Sequence, residues 1–183
     1  MRTKTEELAL LTSATLAGWD DNAPPPWNPW AYLEAYHPDV LVTDAYRLPD
    51  HSMGLHLGRK IWLCRKLNQA ERRSTLAHEI VHIERGPVPS DPAMAAAEER
   101  VVDEIASRRL IRTEDLGRIA ARYARQASRA WARHLWVDVP MLHARLTTLD
   151  AVERKELAGL GVDVLQLKRR ERRLGRILAG LAI

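Results

Sequence analysis

The stretch RRSTLAHEIVHIERGPVPSDP, residues 72–92, sets two histidines four apart with a glutamate directly after the first: His78, Glu79 and His82. The spacing has chemical meaning only on a helix, and the flanking residues specify one. Asn68 is a favourable N-cap with Glu71 three residues on, a capping-box pattern, and Gly86-Pro87 is a stop signal. The segment therefore predicts a helix of about five turns. Positions i and i+4 share a helix face, so His78 and His82 can aim their imidazoles at one point. Glu79 is turned by about 100° from His78, which lets it reach a water beside a metal rather than the metal itself. With 7 His and 13 Glu in 183 residues, His-Glu-x-x-His arises by composition only about 0.02 times per chain. Leu76, Ala77, Ile80, Val81 and Ile83 surround the pair with apolar side chains, where an unpaired polar group is costly. A structural pair of buried histidines is the competing reading.

Two histidines leave a catalytic zinc short of ligands, because such a site takes three protein groups and keeps an open position. Cys64 is the only cysteine, so no cysteine cluster supplies the third, and its place in the apolar run KIWLC reads as a buried strand thiol. The next segment, SDPAMAAAEERVVDEIASRRLI (residues 90–111), offers a carboxylate. Asp91 as N-cap and Pro92 at the first helical position start a second helix that runs to about Ile111. Glu99 and Asp103 are four apart on it and face one point, with Ala106 and Leu110 continuing the stripe. Glu99 is the candidate third ligand. Asp103 is placed to accept the outer N–H of a ligating histidine, which fixes its tautomer and raises its basicity. Glu98 is the rival ligand, but its i+4 neighbour is Val102. The competing reading of Glu99 and Asp103 is a solvated helix face beside Arg100 and Glu104.

His78-Glu79-x-x-His82 followed by Glu99-x-x-x-Asp103 resembles the gluzincin arrangement. The longer runs TLAHEIVHIERG and AEERVVDEIASRRLI resemble the ImmA/IrrE family of bacterial and phage metallopeptidases, and GLHLGRKIWLCRKLNQAERR is similar to the hairpin that precedes the motif helix there. The resemblance covers about residues 28–112. It implies a zincin-like peptidase with Zn2+ on His78, His82 and Glu99, and Glu79 as the catalytic base. It also implies a narrow substrate, since relatives act on a helix-turn-helix repressor of a prophage or stress regulon.

A chain of this length with 46% hydrophobic residues can bury one good core. The lone cysteine suits a reducing cytoplasm, and no run of 18 apolar residues suggests a membrane span. The N-terminal run LALLTSATLAG is interrupted by Thr12, Ser13 and Thr15, and reads as an amphipathic helix rather than a signal peptide. GWDDNAPPPWNP then reads as a proline-stiffened link, and Asn28-Pro29 caps a short helix ending near Tyr36. Trp19, Trp27 and Trp30 pin this link to the core or form a ligand platform; pinning is the reading preferred. DVLVTDAYRL, MGLHL and KIWLCRKL predict three short strands, the last two a hairpin turning at Gly58 and Arg59. His51 and His56 fall near this region and carry little metal-binding signal.

From Thr113 onward the charge changes. Residues 1–107 hold 11 Lys and Arg against 16 Asp and Glu, whereas residues 108–183 hold 17 against 8. Helical segments follow: one from Thr113 as cap, SRAWARHLW, VPMLHARLTTL after Asp138, DAVERKEL ending at Gly159, and a long basic helix from Asp163. The pair around LWVDVP resembles a helix-turn-helix with VPMLHARLTTL as recognition helix, although Trp136 stands where glycine is usual and Arg145 is the only cation on the second helix. Arg118, Arg122, Arg125, Arg129 and Arg133 recur near helical spacing and can meet phosphate, an acidic partner or only solvent.

These readings predict an α+β chain in three parts. Residues 1–27 form the N-terminal helix and link. Residues 28–112 form a zincin-like peptidase core with a small antiparallel sheet, and residues 113–183 an all-helical, basic, helix-turn-helix-like region. The expected function is a cytoplasmic zinc endopeptidase that makes a regulatory cleavage in a protein partner, a repressor above all, with DNA as a further candidate partner and no membrane. The alternative is a DNA-binding or repressor-sequestering regulator in which the metal site is structural or vestigial.

Overall fold

The computed structural model describes residues 27–49, 52–126 and 128–181. The expected N-terminal helix, most of the proline-rich link, Trp19 and His51 lie outside them. The first described helix, α1 (Pro29–Tyr36), starts where Asn28 Oδ1 accepts from the amides of Trp30 (3.0 Å) and Ala31 (3.3 Å), satisfying donors that the first turn leaves unpaired.

Three short strands follow: β1 (Leu41–Thr43), β2 (Gly54–Leu57) and β3 (Lys60–Leu63), in the spatial order β1-β3-β2. β2 and β3 form the expected hairpin, turning through Gly58 at φ +59°. The sheet is not antiparallel throughout, however. β1 pairs parallel to β3, Val42 opposite Ile61, so the sheet is mixed. The third strand thus lies in the middle, between β1 and β2. β1 stops at Thr43 because Asp44 turns away to an ion pair with Arg72.

The motif helix, α2 (Gln69–Arg85), has its capping box closed in both directions. Asn68 Oδ1 accepts from the Glu71 amide (3.0 Å), and Glu71 Oε2 accepts from the Asn68 amide (2.8 Å). Gly86 ends it at φ +92°, a conformation that favours glycine. α3 (Pro92–Leu110) starts with Asp91 Oδ1 accepting from the Met94 amide (2.9 Å). α4 (Thr113–Arg122), α5 (Ser128–Leu135), α6 (Val139–Thr147), α7 (Ala151–Gly159) and α8 (Val164–Leu181) complete the described chain. Thr113 is not the cap of α4 but its first residue. Arg112 occupies the cap position without a side-chain bond, and the Thr113 hydroxyl instead reaches Glu153 Oε1 at 3.1 Å.

Two apolar faces fix α2 in place. Leu76 and Ile80 pack with Trp30, Leu33, Ile61 and Leu63, against α1 and the sheet. Ala77 and Val81 pack with Val102, Ala106 and Leu110 of α3, in a cluster that continues without a break to Leu167 and Leu174 of α8. Each fully buried Leu, Ile or Val side chain contributes about 1.5–3 kcal/mol. The core thus crosses residue 112. The third face of α2 carries His78, Glu79 and His82.

The α5–α6 turn is tied to α2 by a buried arginine. Trp136 has φ +55°, the left-handed region where glycine is usual. Arg73, 2% exposed, donates to the carbonyls of Trp136 (3.0 Å), Leu135 (3.5 Å) and Trp27 (3.1 Å), and its guanidinium lies 5.6 Å from the Trp136 ring. Burial lowers the Arg73 pKa to about 10, so it remains a cation at neutral pH. Trp27 is held on its other side by Arg109, whose guanidinium lies 5.7 Å from the indole and pairs with Glu84. That is the pinning role expected of this residue.

α6 does not stand free as a recognition helix must. It packs between α3 and α8 with Met141, Leu142 and Leu146 buried. Its single cation, Arg145, is 1% exposed and bonds the Ile111 carbonyl (2.8 Å), Thr113 Oγ1 (3.1 Å) and Glu153. Arg145 is therefore a core residue rather than a phosphate contact.

Candidate metal centre

The third face of α2 meets α3 at a cluster of three side chains that could hold a metal ion, His78, His82 and Glu99, whose candidate donor atoms all lie within 4.8 Å of one another. His78 Nε2 is 3.0 Å from His82 Nε2, and the two carboxylate oxygens of Glu99 lie 3.3 Å and 3.4 Å from these nitrogens. A four-coordinate ion with bonds of about 2.0–2.1 Å spaces its ligand atoms about 3.3–3.4 Å apart. Each Glu99 oxygen stands at that distance from one histidine nitrogen, and the two nitrogens stand slightly closer to each other, so the three residues are close to the spacing of a ligand set.

The tautomers agree with this geometry. Asp103 Oδ1 accepts from His78 Nδ1 (3.0 Å), which leaves the lone pair of the neutral ring on Nε2, aimed into the cluster. His82 Nδ1 is buried without a hydrogen-bond partner, while its Nε2 points at His78 and Glu99. Burial works against protonating His78, but the hydrogen bond and charge of Asp103 outweigh it and raise the pKa. Burial beside His78 lowers that of His82.

Glu98 is turned away. It forms a paired hydrogen bond with Arg85, Nη2 to Oε2 at 2.8 Å, whereas its neighbour Glu99 faces the histidines. The i+4 relation to Asp103 separates the two in the sequence, and the structure places them accordingly.

Glu79 lies beside the cluster and is 8% exposed. Burial raises its pKa above the ordinary carboxylate range, which makes it a better proton acceptor once ionised. Its position depends on Gly54, the first residue of β2. A Cβ at Gly54 would stand 2.5 Å from Glu79 Oε1 and 2.5 Å from Thr75 Cγ2. The sequence reading passed over this glycine, although a glycine opening a strand is a sign of close approach by another group. Gly54→Ala is accordingly expected to push the Glu79 carboxylate aside. Metal content measured by mass spectrometry should stay near wild type while hydrolysis drops by about tenfold or more. Unchanged hydrolysis in that variant would show that Glu79 needs no such seat.

Asp138 brings α6 to the edge of the site. Its amide donates to Ser74 Oγ (3.1 Å) and its carboxylate caps α6 at the Met141 amide (2.8 Å). Burial, opposed by that cap bond and helped by the charges of Glu71 and Asp103, pushes its pKa up to about 6. His56, on β2, bonds the Gly58 carbonyl (2.7 Å) and is not part of the metal cluster. Cys64 is buried at the end of β3.

A helix bearing two histidines and a glutamate, completed by a carboxylate from the next helix, is the pattern of a metallopeptidase-type centre. The profile of the IrrE N-terminal-like domain family (Peptidase_M78) matches residues 40–147. This is more than half of the chain, which belongs to that family. The match starts just before β1 and ends with α6, beyond residue 112. No curated protein and no solved structure matches the chain.

Proposed function

We propose that the chain is a zinc-dependent endopeptidase that makes a regulatory cleavage in a protein partner, a helix-turn-helix repressor of a prophage or stress regulon. The observation that carries the reading is the convergence of His78, His82 and Glu99 at ligand spacing with the buried carboxylate of Glu79 beside them. The repressor as substrate rests on the resemblance to ImmA/IrrE peptidases.

In this reading His78, His82 and Glu99 hold the ion, and Asp103 fixes the His78 ring by its bond to Nδ1. Zinc bound there supplies a Lewis acid that polarises a carbonyl and acidifies water. Glu79 takes the proton released as water attacks the scissile carbonyl and passes it to the departing amine. The walls that keep its carboxylate dehydrated, Gly54 and Thr75, keep it basic. β2 pairs only with β3 among the described residues, and Gly54 at its start touches Glu79. Its free edge, with Leu55 and Leu57 exposed, suits a substrate segment added as a further strand, gripped by main-chain hydrogen bonds. No described helix is long and apolar enough to cross a membrane.

The ligand assignment has a direct test. Alanine at His78, His82 or Glu99 should strip zinc from the purified protein, and Glu98→Ala should leave one equivalent bound. Equal loss from Glu98→Ala and Glu99→Ala, read by elemental analysis after dialysis, overturns the assignment.

A further inference from the structure

Several arginines of the fold have a carboxylate partner. Arg72 pairs with Asp44, Arg85 with Glu98, Arg108 with Glu104 and Glu153, Arg109 with Glu84, Arg112 with Asp115, and Arg145 with Glu153. α8 is different. Lys168, Arg169, Arg172, Arg173 and Arg176 are exposed, and among the described residues none of them forms an ion pair. At 100° per residue these five fall within an arc of about 140°, opposite Leu167 and Leu174, which are buried against the core. The single acid of the helix, Glu171, lies outside that arc.

Such a face works against its own helix. Like charges at i+3 and i+4, here 168/172, 169/172, 169/173, 172/176 and 173/176, each oppose helix formation. A solvated helix face ordinarily alternates signs, so an unmixed stripe favours a partner of opposite charge. α8 is nonetheless held rigidly. Arg170 stacks 3.8 Å from the Trp131 ring centre and donates to the Ala124 carbonyl (3.1 Å), and Gln166 donates to the same carbonyl (3.0 Å). These bonds set the stripe beside the α4–α5 connection, where Arg125 and Arg129 are exposed as well.

We infer that the outward face of α8, extended by Arg125 and Arg129, is a nucleic-acid-binding surface that grips the phosphate backbone without reading base sequence. The residue type favours phosphate. All but one of these cations are arginine, whose planar fork matches phosphate oxygens and stays charged at any physiological pH. The surface is distinct from the metal centre, because α6 separates α8 from α3. Duplex and protein substrate can therefore be held at once.

The test uses the full chain and a fluorescein-labelled 25-base-pair duplex, with anisotropy measured across a salt series. Wild type is expected to bind at 50 mM salt with a log–log slope of about −4, near −0.9 for each phosphate neutralised. Arg172→Gln, Arg173→Gln and Arg176→Gln combined should shallow the slope by about three and weaken binding at least about tenfold. Glutamine keeps the helix, which circular dichroism verifies. A control with the same charge loss on the sheet side, Arg47→Gln, Arg65→Gln and Lys66→Gln, should bind like wild type. The proposal is overturned by any of three results: no duplex binding at 50 mM salt, equal weakening in both variants, or phosphatidylglycerol vesicles binding α8 so that excess duplex fails to compete. None of these measurements involves cleavage, so the surface and the peptidase reading stand or fall separately.

Discussion

Glu79→Gln is expected to keep zinc and partner binding and to lose cleavage by a factor of about 10² to 10⁴, the usual worth of a general base. The substitution keeps the size and nearly the helix propensity of the side chain. It removes only the carboxylate that accepts the proton. The site around it should hardly move, because Leu76, Ile80, Ala77 and Val81 fix α2 from both sides without help from residue 79. Burying a neutral amide in place of a buried carboxylate is also less costly, so the melting temperature should not fall. The measurement is incubation of each protein with the cognate repressor, followed by mass analysis of fragments and zinc. Cleavage at the wild-type rate would remove Glu79 from the mechanism. If wild type and variant both leave the repressor intact yet relieve repression equally, sequestration is the function instead.

The parts of this molecule legible in its sequence are those decided by local chemistry. Asn68 and Glu71, Asp91 and Pro92, Asp138, and Asp150 with Glu153 mark helix starts through bonds spanning three residues, and such bonds can be read from spacing alone. The 3.6-residue period then puts His78 and His82 on one face of α2, and Glu99 with Asp103 on one face of α3 apart from Glu98. What the sequence hides is long-range. The parallel pairing of β1 with β3 joins strands that are not neighbours in sequence, and no periodicity encodes strand order. Gly54 matters because it meets Glu79, 25 positions on, which a strand pattern does not reveal.

The helix-turn-helix resemblance shows the same division in a single segment. Trp136 stands at a position that wants glycine, and the structure keeps the left-handed backbone there with tryptophan. Arg73, 63 residues earlier, is what holds its carbonyl. The apolar run of α6 is compatible with a recognition helix or with a buried strut. Packing between α3 and α8 decides for the strut. The cations of α8 are among those left facing outward, and Arg145 is not.

Arg145→Ala is expected to cost about 1–3 kcal/mol, because it takes a buried donor from the Ile111 carbonyl and leaves Glu153 with Arg108 alone of its two arginines. The guanidinium bonds the Ile111 carbonyl, Thr113 and Glu153, so its loss unties the end of α3 from α6 and α7 at once. Burial raises the Glu153 pKa, but Arg145, the Asp150 amide and Arg108 outweigh it and hold the carboxyl at about 2. A folded-state pKa below the unfolded value means stability present above about pH 4.5 and lost as pH falls toward 2. The shift corresponds to at most about 3 kcal/mol at neutral pH, and to less once solvent screening of the pair is counted. Glu153→Gln should therefore be less stable than wild type at pH 7 in urea titrations, and the gap should narrow steadily between pH 4.5 and 2. The Arg145→Ala defect should reach the metal centre, since α3 carries Glu99 and Asp103 and its buried face packs on α6. Zinc affinity should fall in that variant although no ligand has changed. An Arg145→Ala protein within about 1 kcal/mol of wild type and with full zinc content would show that the bundle beyond residue 112 does not support the centre.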